Sequence, residues 1–199
     1  MRYDKDHKAE TRKRVIEVAA RRFRKNGIGA TGVAELMADA GLTHGGFYGH
    51  FSSKEVLVQE AISAASVRGL QRLTTLATEA RQAGRDPLKV ILKDYLSVGH
   101  RDRADRGCCM AALGAELARH PKPTREMLTD CVLQTIDILA GLLPQQWAAE
   151  RRQQRAAAIH AMMIGSLQLA RGVHDPDKSE RILEAGITGA LALAQRSAD

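Results

Sequence analysis

At 199 residues, 44% hydrophobic and 27% charged, the chain can bury a proper core and has too little excess charge for a disordered polypeptide. Arg, Glu, Gln or His interrupts every apolar run before the roughly 18 residues a membrane span needs. The charged start "MRYDKDHKAETRKRVIE" has no secretory apolar segment, so a cytoplasmic protein without membrane attachment is expected.

The formal charge is +7, which points to an anionic partner. The excess is concentrated: residues 1–25 hold ten Lys or Arg against four acids. Within this stretch "ETRKRVIEVAARRFRKNG" spaces Val15, Ile16, Ala19, Ala20 and Phe23 as one face of a helix, with basic residues opposite,. Gly27 stops that helix, and Arg2, Lys5, Arg12 and Lys13 read as a mobile basic arm,. Thr31 is expected to cap a short second helix, "GVAELMADA", closed by Gly41,. Thr43 would cap a third, and Ser52 or Ser53 a fourth that begins "KEVLVQEAI" and runs to the break at Gly84 and Pro87,.

Longer helices follow. "LKVILKDYLSVGH" is the fifth, ending in the charged loop "RDRADRG", and "CCMAALGAELAR" is the sixth, stopped at "HPKP". "TREMLTDCVLQTIDILAGLL" is the seventh, halted by Pro144. "AAERRQQRAAAIHAMMIGSLQLARG" and "DKSERILEAGITGALALAQRS" are the eighth and ninth. No run alternates as a strand would. The expectation is an all-α protein of about nine helices: a basic three-helix head, residues 1–54, joined to a larger helical body, residues 55–199.

The stretch "AGLTHGGFYGHF", residues 40–51, is the unusual one. Each glycine inside a helix costs about 1 kcal/mol against alanine, and four stand here within twelve positions. Gly41 sits where a helix-turn-helix needs a left-handed residue. The next helix is the one that enters the DNA major groove in that motif. Phe47 and Phe51, four apart, are expected to face inward with Leu42. Thr43, His44, Gly46, Tyr48 and His50 are left outside, and Gly45, Gly46 and Gly49 strip a face so that backbone can approach a phosphate.

The segment "TGVAELMADAGLTHGGFYGHFSSKEVL", residues 31–57, resembles the DNA-binding head of the tetracycline-repressor (TetR) family of bacterial transcriptional regulators. Thirteen positions agree in order and spacing: Thr31 and Val33, Ala40-Gly41-Leu42-Thr43, Gly45, Phe47-Tyr48, His50-Phe51 and Lys54-Glu55. The chain has His44 where the family often has Lys or Arg, and Gly49 where a bulkier residue is usual. The resemblance implies phosphate contacts from Thr31 and Thr43 at helix starts, backbone contacts from Tyr48 and His50, a base-edge contact from His44, close approach at Gly45 and Gly46, and phosphate neutralisation by Lys54.

It also implies a repressor that binds palindromic double-stranded operator DNA as a homodimer and is released by a small-molecule effector whose identity the sequence leaves open. One short recognition helix reads too few base pairs, which itself favours a two-fold dimer. The family's interface is formed by the last two helices, here through Ile159, Met163, Ser166, Leu167 and Ala170 with Ile182, Ala185, Gly186, Gly189, Ala190 and Leu193. The effector pocket would lie among Tyr95, His100, Cys109, Met110, Leu113, Glu116, Trp147, His160 and Met163.

Three cysteines, an odd number, with no C-x-x-C or H-x-x-x-H spacing, support neither a disulfide framework nor a metal site,. The glycine cluster lacks the preceding strand and the lysine of a phosphate cradle, and no catalytic constellation or cofactor is expected. Cys108 and Cys109 begin a helix behind Arg101, Arg103 and Arg106, where dipole and cations favour a thiolate. A regulator that senses oxidants or electrophiles through these thiols is the alternative reading. An all-α thiol enzyme ranks below it.

Overall fold

The structure, a computed structural model, describes the backbone of residues 2–195 and the side chains of residues 7–195. The elements are α1 (Arg2–Asn26), α2 (Val33–Asp39), a 3-10 helix (His44–Gly49), α3 (Lys54–Gln82), α4 (Pro87–Tyr95), α5 (Val98–Asp102), a second 3-10 turn (Ala104–Arg106), α6 (Cys109–Leu117), α7 (Lys122–Ala140), α8 (Ala149–Gly172) and α9 (Pro176–Gln195). No strand occurs among the described residues, and the fold is all-α as expected.

Local chemistry explains most boundaries. Gly41 has φ +71°, the left-handed turn that lets α2 reverse into the 3-10 helix. Asp86 caps α4 through Oδ1, which accepts from the amides of Leu88 (2.9 Å) and Lys89 (3.2 Å), with Pro87 in the first turn where its missing N–H costs nothing,. Pro123 has the same place in α7, so that helix starts at Lys122, two residues earlier than expected. The fifth expected helix divides into α4 and α5: Ser97 leaves helical geometry and its Oγ accepts from the His100 amide at 3.2 Å, a local alternative to continuing the helix. Ser53 caps α3, accepting from the Val56 amide at 3.2 Å.

Two capping expectations are corrected. The residue before α2 is Gly32, with no side-chain cap, because Thr31 turns its hydroxyl back to the Gly27 carbonyl at 2.6 Å. Thr43 precedes the third helix without a side-chain cap, and that helix is 3-10, not α.

The chain forms two compact units. The first comprises residues 1–68 and 104–127. Its core is built from Val15, Ala19, Phe23, Leu36, Met37, Phe47, Phe51, Leu57 and Leu117, all buried. Each large apolar side chain there contributes about 1.5–3 kcal/mol by leaving water. Polar tethers bind residues 104–127 into this unit. The Arg24 guanidinium donates to the Asp105 carbonyl at 2.9 and 2.6 Å. The Glu116 carboxylate accepts the amides of Ile28 (3.0 Å) and Gly29 (2.6 Å). Glu55 accepts from the Thr124 hydroxyl at 2.6 Å and lies 3.0 Å from His120 Nδ1; despite partial burial, these bonds hold its carboxyl below the usual range. The unit is therefore larger than the residues 1–54 assigned to the head from sequence.

The second unit comprises residues 69–103 and 128–199. Leu88, Ile91, Leu92, Leu139, Leu143, Ala156, Ile159, Met163 and Ala190 pack together at its centre, with Tyr95 and Trp147 against them. A Cβ on Gly186 would come within 2.7 Å of Ser166 Cβ, and one on Gly189 within 2.8 Å of Met162 Sδ. These glycines let α9 lie close on α8 of the same chain. Burial within the single chain divides the residues expected at a dimer interface. Ile159, Met163, Leu167, Ala170, Gly186 and Ala190 are closed off inside the single chain, whereas Ser166, Ile182, Gly189 and Leu193 keep partial exposure and Ala185 is exposed.

Candidate nucleic-acid interface

The 3-10 helix is pinned from below and open above. Phe47 and Phe51 are buried, with ring centroids 5.5 Å apart in a stacked arrangement. Leu42, expected beside them, is half-buried. Tyr48 stands on this base, edge-on to Phe47 at 5.3 Å and 70% exposed. An aromatic so open to water gains little for the fold and is available for contact. Thr43, His44, Gly45 and Gly49 are exposed and Gly46 is half-exposed. The structure thus brings Thr43, His44, Gly45, Gly46 and Tyr48 onto one open turn.

Three other expected contacts sit differently. Thr31 is fully buried with its hydroxyl engaged, so its side chain offers nothing to a phosphate. Lys54 donates to the Ile28 carbonyl at 2.6 Å and is a tether of the α1–α2 turn, not a free cation. His50 is half-buried, with Nδ1 buried and unpartnered. Burial, then the nearby Lys8 and Arg12 charges, push its imidazole below the ordinary histidine pKa, so near neutral pH it carries no charge.

The basic stretch also changes character. Arg12 and Lys13 lie within the continuous helix α1, and Arg12 is held by Glu60 on α3. Arg22 pairs with Asp39. The side chains of Arg2 and Lys5 lie outside the described residues.

Residues 15–61 match the pattern of the bacterial regulatory proteins of the tetR family. Residues 84–186, more than half of the chain, match the tetracyclin repressor-like C-terminal domain. The chain belongs to the tetR family.

The family is one of bacterial regulatory proteins. The chain is 39% identical over 64 residues to the HTH-type transcriptional regulator TtgR of Pseudomonas putida, covering 32% of this chain and 30% of that protein. Over 96 residues it is 32% identical to the uncharacterized HTH-type transcriptional regulator YerO of Bacillus subtilis, covering 48% of this chain and 32% of that one. The chain thus spans about a third of the length of these two relatives. A TetR transcriptional regulator from Chloroflexus aurantiacus superimposes with a TM-score of 0.77 at 25% identity, over 96% of this chain and 98% of that one. The reduced form of E. coli NemR gives 0.76 at 21% identity, over 96% and 100%, a likeness of fold.

The nine expected effector residues of this TetR-family chain divide between the units. Cys109, Met110, Leu113 and Glu116 belong to the first, where Leu113 and Cys109 are buried and the Glu116 carboxylate is engaged by backbone amides. Tyr95, His100, Trp147, His160 and Met163 belong to the second. His100 Nδ1 lies 2.7 Å from the Tyr95 carbonyl, and burial lowers the pKa of both His100 and His160, leaving two neutral imidazoles. Trp147 lies under the Arg151 guanidinium at 4.4 Å.

Cys108 precedes α6 and Cys109 opens it; neither forms a disulfide. The buried Cys109 Sγ lies 3.6 Å from Arg24 Nη1. Among the described residues no cluster of three His, Cys, Asp or Glu could hold a metal, and no helix is long and apolar enough to cross a membrane. Sequence reasoning missed the tethers made by Arg24, Glu116 and Glu55, whose partners lie between 65 and 88 positions away; charge alone gives no sign of such pairings.

Proposed function

We propose that this TetR-family chain is a ligand-responsive repressor that binds a palindromic operator as a homodimer and is released by a small molecule. Residues 1–54 carry the DNA contacts and residues 55–199 the dimerisation and effector functions. The observation that carries this reading is the open turn of Thr43, His44, Gly45, Gly46 and Tyr48 over the buried Phe47 and Phe51. Tyr48 and the backbone around Gly45 and Gly46 would meet phosphates, and His44 a base edge.

The dimer would form through the outer faces of α8 and α9, where Ala158, Ala161 and the 64% exposed Leu169 face away from the buried stripe, together with Ala185 and Ala192. The effector would enter the second unit beside Tyr95, His100, Trp147 and His160, and would favour a spacing of the two heads that no longer matches successive major grooves. Selection of bound duplexes from a random pool tests the whole reading. It should enrich a two-fold symmetric site; enrichment of one asymmetric half-site, or of nothing, would sink it.

The contact between Arg24 and Cys109 favours a second reading, a thiol-gated regulator, because a nearby guanidinium stabilises a thiolate,. Peroxide or an electrophile should then release DNA from the wild type and not from Cys108→Ser/Cys109→Ser. Equal release from both discards it.

A further inference from the structure

We propose that Arg12 is a positioning residue for DNA recognition: from α1 it holds the C-terminal end of the 3-10 helix in the shape that presents Tyr48, without itself contacting a phosphate. This rests on the reading of residues 43–50 as the DNA-facing segment. Three bonds carry it. Arg12 Nε donates to the His50 carbonyl at 3.4 Å, the guanidinium lies 4.8 Å over the Phe51 ring, and both terminal nitrogens pair with the Glu60 carboxylate on α3. One side chain therefore joins α1, the end of the recognition segment and α3.

The segment needs such a support. Six residues is long for a 3-10 helix, which rarely exceeds three or four,. Thr43 gives it no side-chain cap, and three of its residues are glycine. The amides of His50 and Phe51 both go to the Phe47 carbonyl at 2.9 Å, so its C-terminal end hangs on one acceptor. The His50 carbonyl beyond it is held by Arg12. Glu60 fixes the guanidinium in a bidentate geometry that a lysine could not reproduce. It also offsets the Arg12 charge, which weakens any role of that charge in attracting DNA.

The sign of one substitution separates positioning from electrostatics. Glu60→Gln makes the chain more positive by one charge, so by charge alone it should bind DNA more tightly. Positioning predicts the opposite. On a duplex selected by the wild-type chain, Glu60→Gln and Arg12→Lys should each bind about tenfold more weakly. The slope of log K against log salt should stay at its wild-type value, and random-sequence duplex should bind no more weakly than before. In the free protein, hydrogen exchange of the His50 and Phe51 amides should speed up in both variants while the α4 amides keep their rates.

Tighter binding by Glu60→Gln, wild-type affinity in Arg12→Lys, or a slope reduced by about 0.9 in Arg12→Ala, the signature of one lost phosphate contact, would each overturn the proposal. Should the wild type select no duplex, the DNA reading of the segment fails. The exchange experiment still decides the clamp, because unchanged rates at His50 and Phe51 refute it.

Discussion

Gly45 and Gly49 stand in open space: a Cβ built on either meets nothing within 4 Å, and neither has positive φ. The isolated fold therefore gives no reason for glycine at these positions, although each costs stability by its freedom in the unfolded chain. Gly46 differs, since its Cβ would touch Met37 Cε and Thr43 Oγ1 at 3.7 Å, an ordinary contact. If bare backbone here serves approach to a phosphate, stability and binding should move in opposite directions. Gly45→Ala and Gly49→Ala are expected to stabilise the protein by about 0.5–1 kcal/mol, a rise of roughly 1–4 °C in Tm, and to weaken binding to a selected duplex. Calorimetry beside anisotropy checks this, and unchanged binding would leave the glycines without that purpose. The same scale shows what single residues conceal. A threonine at a helix start reads as a cap or a phosphate ligand, yet Thr31 bonds inward to Gly27. Lys54 reads as a free cation and is spent on a carbonyl.

For α8 and α9, the apolar stripe on each helix was legible in the sequence and its destination was not. Ile159, Met163, Leu167 and Ala170 share one face of α8, as do Leu183, Gly186 and Ala190 on α9, and these most apolar faces bury within the chain. Periodicity identifies the face with the greatest gain on leaving water, and the nearest core takes that face first. The partner subunit proposed above would be left the opposite, sparser face. Leu169→Glu should therefore convert the proposed dimer to a monomer in light scattering while the fold persists, since a charge on that face lacks a partner only when two copies meet. A dimer that survives this change at micromolar concentration would place the interface elsewhere. The 3-10 form of residues 44–49 was likewise unreadable: its glycines weaken helix propensity without specifying which tighter turn replaces it.

Across the whole molecule, the all-α class, most helix boundaries and the helix-turn-helix were legible because each depends on residues close in sequence. Phe47, Phe51, Gly41 and Ser53 occupy the places their spacing implies. The joining of residues 104–127 to the head was not legible, since it depends on Arg24 with Asp105 and Glu116 with Ile28 and Gly29, pairs whose members give no local signal of each other. The fold thus places the start of α6, with its two cysteines, in the same compact unit as the turn of residues 43–50. Everything proposed for the molecule depends on that turn. The most direct test is an anisotropy titration of Tyr48→Ala beside the wild type on a selected palindrome, with mass measured in parallel. The account predicts a dimer of unchanged mass and helicity that has lost most of its affinity for the palindrome. A Tyr48→Ala dimer that binds the palindrome as tightly as the wild type would contradict it.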